Sequence, residues 1–255
     1  MAYEIIELKE GFLQFVIKRH ERRNAVNFEV MDGLQKAIDK VKKSHHLGLV
    51  ITGEGDQAFC SGGDLSVFHE LKTEEEAYDM LSRMANILFD LFMLPKPTIA
   101  LLNGIAIGGG CEIATACDFR FAHFNTRAGF VQGNLAITTG WGGGTMLLER
   151  LPSSQALSML MKAKIYDAPE LKEMGFIDYM YEGSHLEGLR AGLETMPSIE
   201  IEVLQAYKEI VLRKRDPLRL KEQVIREVRQ CSILWEKEAH HEKVNLFINR
   251  KNSNI

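Results

Sequence analysis

The sequence predicts an α/β fold with crossover connections, followed by a mostly helical C-terminal region. Three observations carry this expectation. Two apolar runs of strand length, Leu47 to Thr52 and Thr98 to Leu102, do not alternate, as expected of strands buried on both faces. Each is followed by a glycine-rich segment and then by a helical pattern, the order of a crossover unit. From about Ser198 the apolar residues recur at helical spacing.

Taken in order, residues 3–18 alternate loosely and read as two short strands around Gly11. Asn27 suits the N-cap of a helix, FEVMDGLQKAIDKVKK, in which Val30, Leu34, Ile38 and Val41 share one face. Leu47 to Thr52 is a buried strand ended by GEGD. Asp64 caps one helix, and Thr73 with Glu76 forms a capping box for the next, so Glu74-Glu75-Glu76 reads as a favourable helix start. Leu94-Pro95 and Lys96-Pro97 stop that helix near Met93. Thr98 to Leu102 is a strand, Cys111 to Cys117 a helix, and Phe119 to Ala122 a strand again. In the tail, Asp216 and Pro217 suit the N-cap and first turn of the second of two helices, whose stripe is Leu220, Val224, Val228 and Cys231. No repeat of fixed period is visible. The division expected is a core over residues 1–197 and a helical region over 198–255 that wraps the core or packs on another subunit.

Composition narrows the function. A chain of 255 residues with 45% apolar and 26% charged residues buries a core without staples. Its four cysteines, Cys60, Cys111, Cys117 and Cys231, fall in no metal or disulfide spacing and suit a reducing cytosol. The net charge of −4 argues against a nucleic-acid surface. Met1-Ala2-Tyr3-Glu4 lacks a signal-peptide profile, and the longest apolar run is broken by Asn103 and Gly104, too short for a bilayer. The expectation is a cytoplasmic protein with no membrane span. His45-His46 and His240-His241 lack a third ligand at metal spacing, so no metal is expected.

The stretch NGIAIGGGCEIATACD, residues 103–118, sets three consecutive glycines before an acid and a helix. Glycines are locally unfavourable there, but they leave the amides of a helix start open to an oxygen. Neither a dinucleotide nor a phosphate-loop pattern is present. A second such place, AFCSGGDL at 58–65, puts Gly62 and Gly63 before a helix. Two backbone donors facing one point would form an oxyanion hole, with Gly63 and Gly109 as candidates; tight turns with capped helices explain the same spacing.

FCSGGDL and PKPTIALLNGIAIGGGCEIATACDFRFA, with RRNAVN at 22–27 and WGGGT at 141–145, resemble the enoyl-CoA hydratase/isomerase (crotonase) superfamily over residues 3 to about 190. The resemblance implies a spiral of ββα turns with a C-terminal helical region that builds homotrimers, often paired into hexamers. It implies an enzyme that binds an acyl-CoA thioester and stabilises its enolate on the amides of Gly63 and Gly109. Coenzyme A belongs to the substrate, and no separate cofactor is implied. Backbone near Asn24 and Ala25 would touch its nucleotide end, Asp64 and Leu65 would flank the pantetheine, and Arg250 with Lys251 would lie near its phosphates.

Hydratases of this family use two glutamates. The first matches Glu112, while the second position holds Gln132, which orients a water but transfers no proton. Three reactions fit: hydration by Glu112 alone, double-bond migration, and decarboxylation of an alkylmalonyl-CoA, where loss of carbon dioxide itself makes the enolate. ITTGWGGGT with TACDFR resembles decarboxylating members weakly. Glu112 also suits a helix-stabilising first-turn acid, Gln132 a pocket wall, Trp141 packing or a lid for the acyl chain, and His69 a surface position. A hydratase/isomerase-type reaction leads, decarboxylation follows, and a quiet CoA-ester-binding or RNA-binding scaffold comes third.

Overall fold

β1 (Tyr3–Glu7) and β2 (Leu13–Ile17) pair antiparallel around Gly11, whose φ of 82° supplies the left-handed corner. Helix α1 (Phe28–Lys43) starts at Asn27, whose side chain accepts the Val30 N–H. Its expected face of Val30, Leu34, Ile38 and Val41 is buried. This computed structural model describes residues 1–195 and 200–252, with side chains through residue 249. The boundary expected between residues 197 and 198 and the side chains of Arg250 and Lys251 therefore lie outside the described residues.

Three turns of a spiral follow α1, each placing one strand in a main sheet, one in a second sheet, then helix. The first holds β3 (Leu49–Gly53), β4 (Ala58–Cys60), α2 (Leu65–Phe68) and α3 (Glu74–Phe92). The second holds β5 (Thr98–Leu102), β6 (Ile105–Ile107) and α4 (Gly109–Ala116). The third holds β7 (Phe119–His123), β8 (Arg127–Gly129), α5 (Gly143–Leu148) and α6 (Ser153–Lys162). β9 (Tyr166–Asp167), α7 (Ala168–Glu173), β10 (Tyr179–Tyr181) and α8 (His185–Glu194) complete the core. The main sheet runs β1-β2-β3-β5-β7-β10 and the second β4-β6-β8-β9. Only the β1–β2 and β8–β9 pairs are antiparallel among these. This is the ββα spiral that the resemblance implies.

The pleat divides the apolar side chains of the main sheet between two faces. Leu13, Phe15, Leu49, Ile51 and Ala100 pack under α1, α3 and α4, in the large core. Phe12, Val50, Ile99, Leu101 and Phe121 face the other way, into a smaller cluster with Leu189 of α8. All four cysteines are free and buried. Among the described residues no helix is long and apolar enough to cross a membrane.

Asn103 ties the two sheets together. Its Nδ2 donates to the carbonyls of Gly53 (2.9 Å), Gly55 (2.7 Å) and Ala58 (3.2 Å), and its Oδ1 accepts the Gly53 N–H at 3.2 Å. The side chain is 1% exposed, so water does not replace these bonds. Asn103→Ala should cost about 3 kcal/mol or more, because several buried groups lose their partners at once. Urea denaturation measures this; a loss below about 1 kcal/mol would show that the carbonyls find other donors.

The C-terminal region holds three helices where the sequence suggested two: α9 (Ile201–Lys214), α10 (Pro217–Trp235) and α11 (Glu238–Asn252). Asp216 caps α10 through the N–H groups of Leu218 and Arg219, with Pro217 in the first turn. α10 buries Leu220, Val224, Val228, Cys231 and Trp235, lying largely along α3. The Trp235 indole N–H donates to the Leu71 carbonyl at 2.9 Å. Lys208 of α9 pairs with the half-buried Asp118, which also faces Arg150 at 3.6 Å. This helical region is thus bonded to the core of its own chain.

Candidate active site

The two glycine-rich segments meet. β4 and β6 are parallel neighbours, so the loops that leave them, residues 61–64 and 108–110, lie side by side. A Cβ on Gly62 would sit 3.1 Å from the Gly109 nitrogen, and Gly62 itself needs its φ of 93°. Gly109 opens α4, so its N–H has no partner within the helix. Among the described residues the N–H groups of Gly63 and Gly109 donate to no other group.

The bare surface of these glycines is used by the protein itself. A Cβ on Gly109 would lie 2.1 Å from the Trp141 indole, and one on Gly63 would lie 3.5 Å from the same ring. A Cβ on Gly110 would lie 2.1 Å from the Cys60 carbonyl oxygen. Close packing against Trp141 and β4 therefore demands Gly109 and Gly110, beyond any access for a ligand. Trp141 is 4% exposed, and its ring spans the backbone of both loops.

Glu112 stands in the first turn of α4 and is 3% exposed. Its Oε2 accepts the N–H groups of Trp141 (2.8 Å) and Gly143 (2.9 Å). Its Oε1 accepts Gln132 Nε2 at 2.9 Å and, more weakly, the Gly140 N–H at 3.4 Å. Oε2 is thus fixed by backbone, whereas Oε1 faces one movable side chain and one long bond. Burial first, and then the carboxylate of Glu227, push the Glu112 carboxyl up to about 7, against the pull of the Gly143, Trp141 and Gly140 amides. A carboxyl poised there exchanges a proton readily at neutral pH.

Gln132 lies where the sequence placed it, beside Glu112. Its Nε2 is committed to Glu112, while its Oε1 is buried without a donor among the described residues. An unfilled acceptor beside a carboxyl is a place for an O–H donor. His69 Nδ1 is likewise buried and without a partner, but it makes no contact with Glu112 that the hydrogen bonds show.

The remaining expected residues are ordered by local bonds. Asn24 has a φ of 54°, and its buried side chain donates to the carbonyls of Glu54 (3.0 Å) and Ala58 (2.7 Å). The Ala25 carbonyl accepts Arg19 Nη1 at 2.8 Å. Asp64 caps α2 through the Ser66 N–H and pairs with Arg19 at 2.7 Å, which holds its carboxyl low through the Ser66 and Arg19 bonds despite the opposing burial. Leu65 begins α2. These residues join RRNAVN to the 61–64 loop, reinforced by the Val26–Gly63 bridge. A cavity of about 920 Å³ lies elsewhere, between the second face of the main sheet and α9, lined by Phe12, Ile99, Asp118 and Lys208.

One carboxylate was not anticipated. Glu227 of α10 accepts the N–H groups of Gly144 (3.1 Å) and Thr145 (2.7 Å) and the Thr145 hydroxyl (2.6 Å). A signal for it existed in the sequence. Positions 220, 224, 227 and 231 follow helical spacing, so Glu227 is a charge on an otherwise apolar stripe.

The fold and these residues define a protein of the ββα-spiral class. The chain belongs to the enoyl-CoA hydratase/isomerase family, whose sequence profile matches residues 7–254. It is 34% identical over 185 residues to the short-chain-enoyl-CoA hydratase of Clostridium acetobutylicum, covering 71% of this chain and 70% of that protein. It is 32% identical over 198 residues to the ethylmalonyl-CoA decarboxylase of Gallus gallus, covering 76% of this chain and 66% of that one. Across similar curated relatives the matched stretch spans from 52% to 73% of their own lengths. The crystal structure of an enoyl-CoA hydratase from Bacillus halodurans superposes with a TM-score of 0.86 at 20% identity, covering 96% of this chain and all of that one, and so shares the fold.

Proposed function

We propose that this chain is an acyl-CoA enzyme that adds water to, or shifts the double bond of, an enoyl thioester. One observation carries the reading: a buried carboxyl poised near neutrality, Glu112, beside the unfilled acceptor of Gln132 and the two unpartnered amides of Gly63 and Gly109. The thioester oxygen takes the two amides, which stabilise the enolate as it forms; one such donor is worth roughly 3 kcal/mol in comparable sites. The substrate enters where the Trp141 ring now lies, so the indole moves off Gly109 as the thioester binds. A water donates one hydrogen to Gln132 Oε1 and the other to Glu112. Glu112 Oε1, the less firmly held oxygen, takes the water's proton as oxygen attacks the β-carbon, then returns a proton to the α-carbon. Backbone around Asn24 and Ala25, with Asp64 and Leu65, flanks the coenzyme A portion. Exposed apolar residues on α9, Tyr207 at 64% and Ile210 at 60%, support the homotrimer or hexamer expected of the family, and the free cysteines fit the cytoplasm as its compartment.

Decarboxylation is the second reading, favoured by Gln132 in place of a second acid and by the similarity to ethylmalonyl-CoA decarboxylase. The charge balance opposes it. The charged neighbour that acts most on Glu112 is another carboxylate, Glu227, so a substrate carboxylate would add like charge. Offering purified protein crotonyl-CoA and ethylmalonyl-CoA in parallel, with mass detection, separates the two. Water gain or double-bond shift on the first is expected. Exclusive loss of carbon dioxide from the second would transfer the assignment, and CoA-ester binding without change would mark a scaffold.

A further inference from the structure

Three successive amides, those of Gly143, Gly144 and Thr145, form the first turn of α5, and two different elements claim them. Glu112 of α4 accepts the first, and Glu227 of α10 accepts the other two. The glycines are required by this arrangement: a Cβ on Gly143 would lie 2.4 Å from Glu112 Cγ, and one on Gly144 would lie 2.7 Å from Thr139 Oγ1. Both carboxylates therefore grip one turn of backbone from opposite helices. Satisfying two amides on an apolar stripe does not require a charge, since a neutral acceptor would serve at lower desolvation cost.

We propose that Glu227 is a positioning residue for Glu112, one that locks the glycine turn whose amides hold Glu112 and lays a second negative charge beside it. This rests on the reading of Glu112 as the acid–base group. Among the described residues no cation pairs with Glu227. α4 brings Glu112; α5 brings Thr145 and no titratable side chain; the loop before α5 brings the Thr139 hydroxyl, which bonds Glu227; α10 itself adds Cys231 one turn further on. Burial, then Glu112 and Glu227, keep the Cys231 thiol protonated. Arg229 on α10 is turned outward, to Glu74 of α3 at 3.0 Å, and Arg226 pairs with Glu222. Among the described residues no cation pairs with either carboxyl, and burial raises the Glu227 carboxyl as well, so the two titrate as a coupled pair and the proton that Glu112 carries near neutrality depends partly on Glu227.

The test uses the full chain and three variants. The infrared carboxyl band that disappears in Glu112→Gln reports Glu112 directly, and its midpoint is followed with pH alongside the pH profile of crotonyl-CoA turnover. Glu227→Gln keeps an acceptor on the turn and removes the charge. Its Glu112 band is expected to titrate below the wild-type midpoint of about 7, with the acid limb of kcat/KM moving the same way and KM little changed. Glu227→Asp keeps the charge but withdraws it from the turn; the midpoint stays high while kcat falls on the order of 10- to 100-fold. An unmoved band in folded Glu227→Gln overturns the proposal, as does a kcat loss there without any change in midpoint. A band that moves in a protein that turns over no enoyl thioester upholds the link between the glutamates and removes the acid–base role instead.

Discussion

Glu112→Gln lowers the turnover of a short enoyl thioester by roughly 10²- to 10⁴-fold, the range over which a positioned acid–base group contributes. The substitution is nearly isosteric, and the amide retains an oxygen for the Trp141 and Gly143 N–H groups, which lie 2.8 and 2.9 Å from Oε2. Its NH₂ must then face Gln132 Nε2, and the Gln132 amide turns over so that its oxygen accepts. The Gln132 oxygen, without a donor among the described residues, gains one by that flip, so the fold should survive. Steady-state kinetics beside a thermal melt check both halves of this expectation. A folded variant within tenfold of native activity would reduce Glu112 to a structural acceptor for the glycine turn.

The pH profile carries the second large effect, and its direction identifies the reaction. A hydratase or isomerase begins its cycle with Glu112 ionised. Its kcat/KM therefore falls about tenfold per pH unit once the pH drops below the Glu112 midpoint near 7. A decarboxylase needs the neutral form, because its enolate arises without a base and then takes a proton. Its rate falls instead as the pH rises through the same midpoint. An ordinary carboxyl, at 4.5, would leave the hydratase profile flat across this window and make a decarboxylase decline throughout it, so a break near 7 also tests whether burial and Glu227 act as the geometry requires. Initial rates from pH 5 to 9 with crotonyl-CoA and ethylmalonyl-CoA decide the sign.

Much of the framework was legible because it is locally encoded. Asn27, Asp64, Thr73 and Asp216 cap the helices they were expected to cap, since a cap bonds within three residues of itself. The main-sheet strands β3 and β5 showed as apolar runs because both of their faces are buried. The second sheet was not legible. β4, β6 and β8 have three residues each, too few to display a period, and only pairing with distant chain makes them strands. α4 starts at Gly109, two residues before the expected Cys111, since glycines read as loop until Trp141 and Cys60 are known to press on them.

At the site, the motif positions of Glu112 and Gln132 were readable and the structure brings them within 2.9 Å. What escaped was the second use of glycine. WGGGT was readable only as part of the family resemblance, yet Gly143 and Gly144 make room for Glu112, Thr139 and Glu227. Glu227 escaped because a stripe is read for its apolar members, and a half-buried acid among them is seen only as an interruption.

The clamp from α10 has a consequence for the order in which the enzyme comes to life. The ribosome delivers Glu112, Gln132 and the glycine turn before it has made residue 227. At about 5–20 residues per second, several seconds of translation separate the two. During that interval the nascent chain holds its proton-exchanging carboxyl on a turn that nothing yet pins from the far side. A truncated or stalled product would thus carry every motif of the N-terminal core and still lack a finished centre.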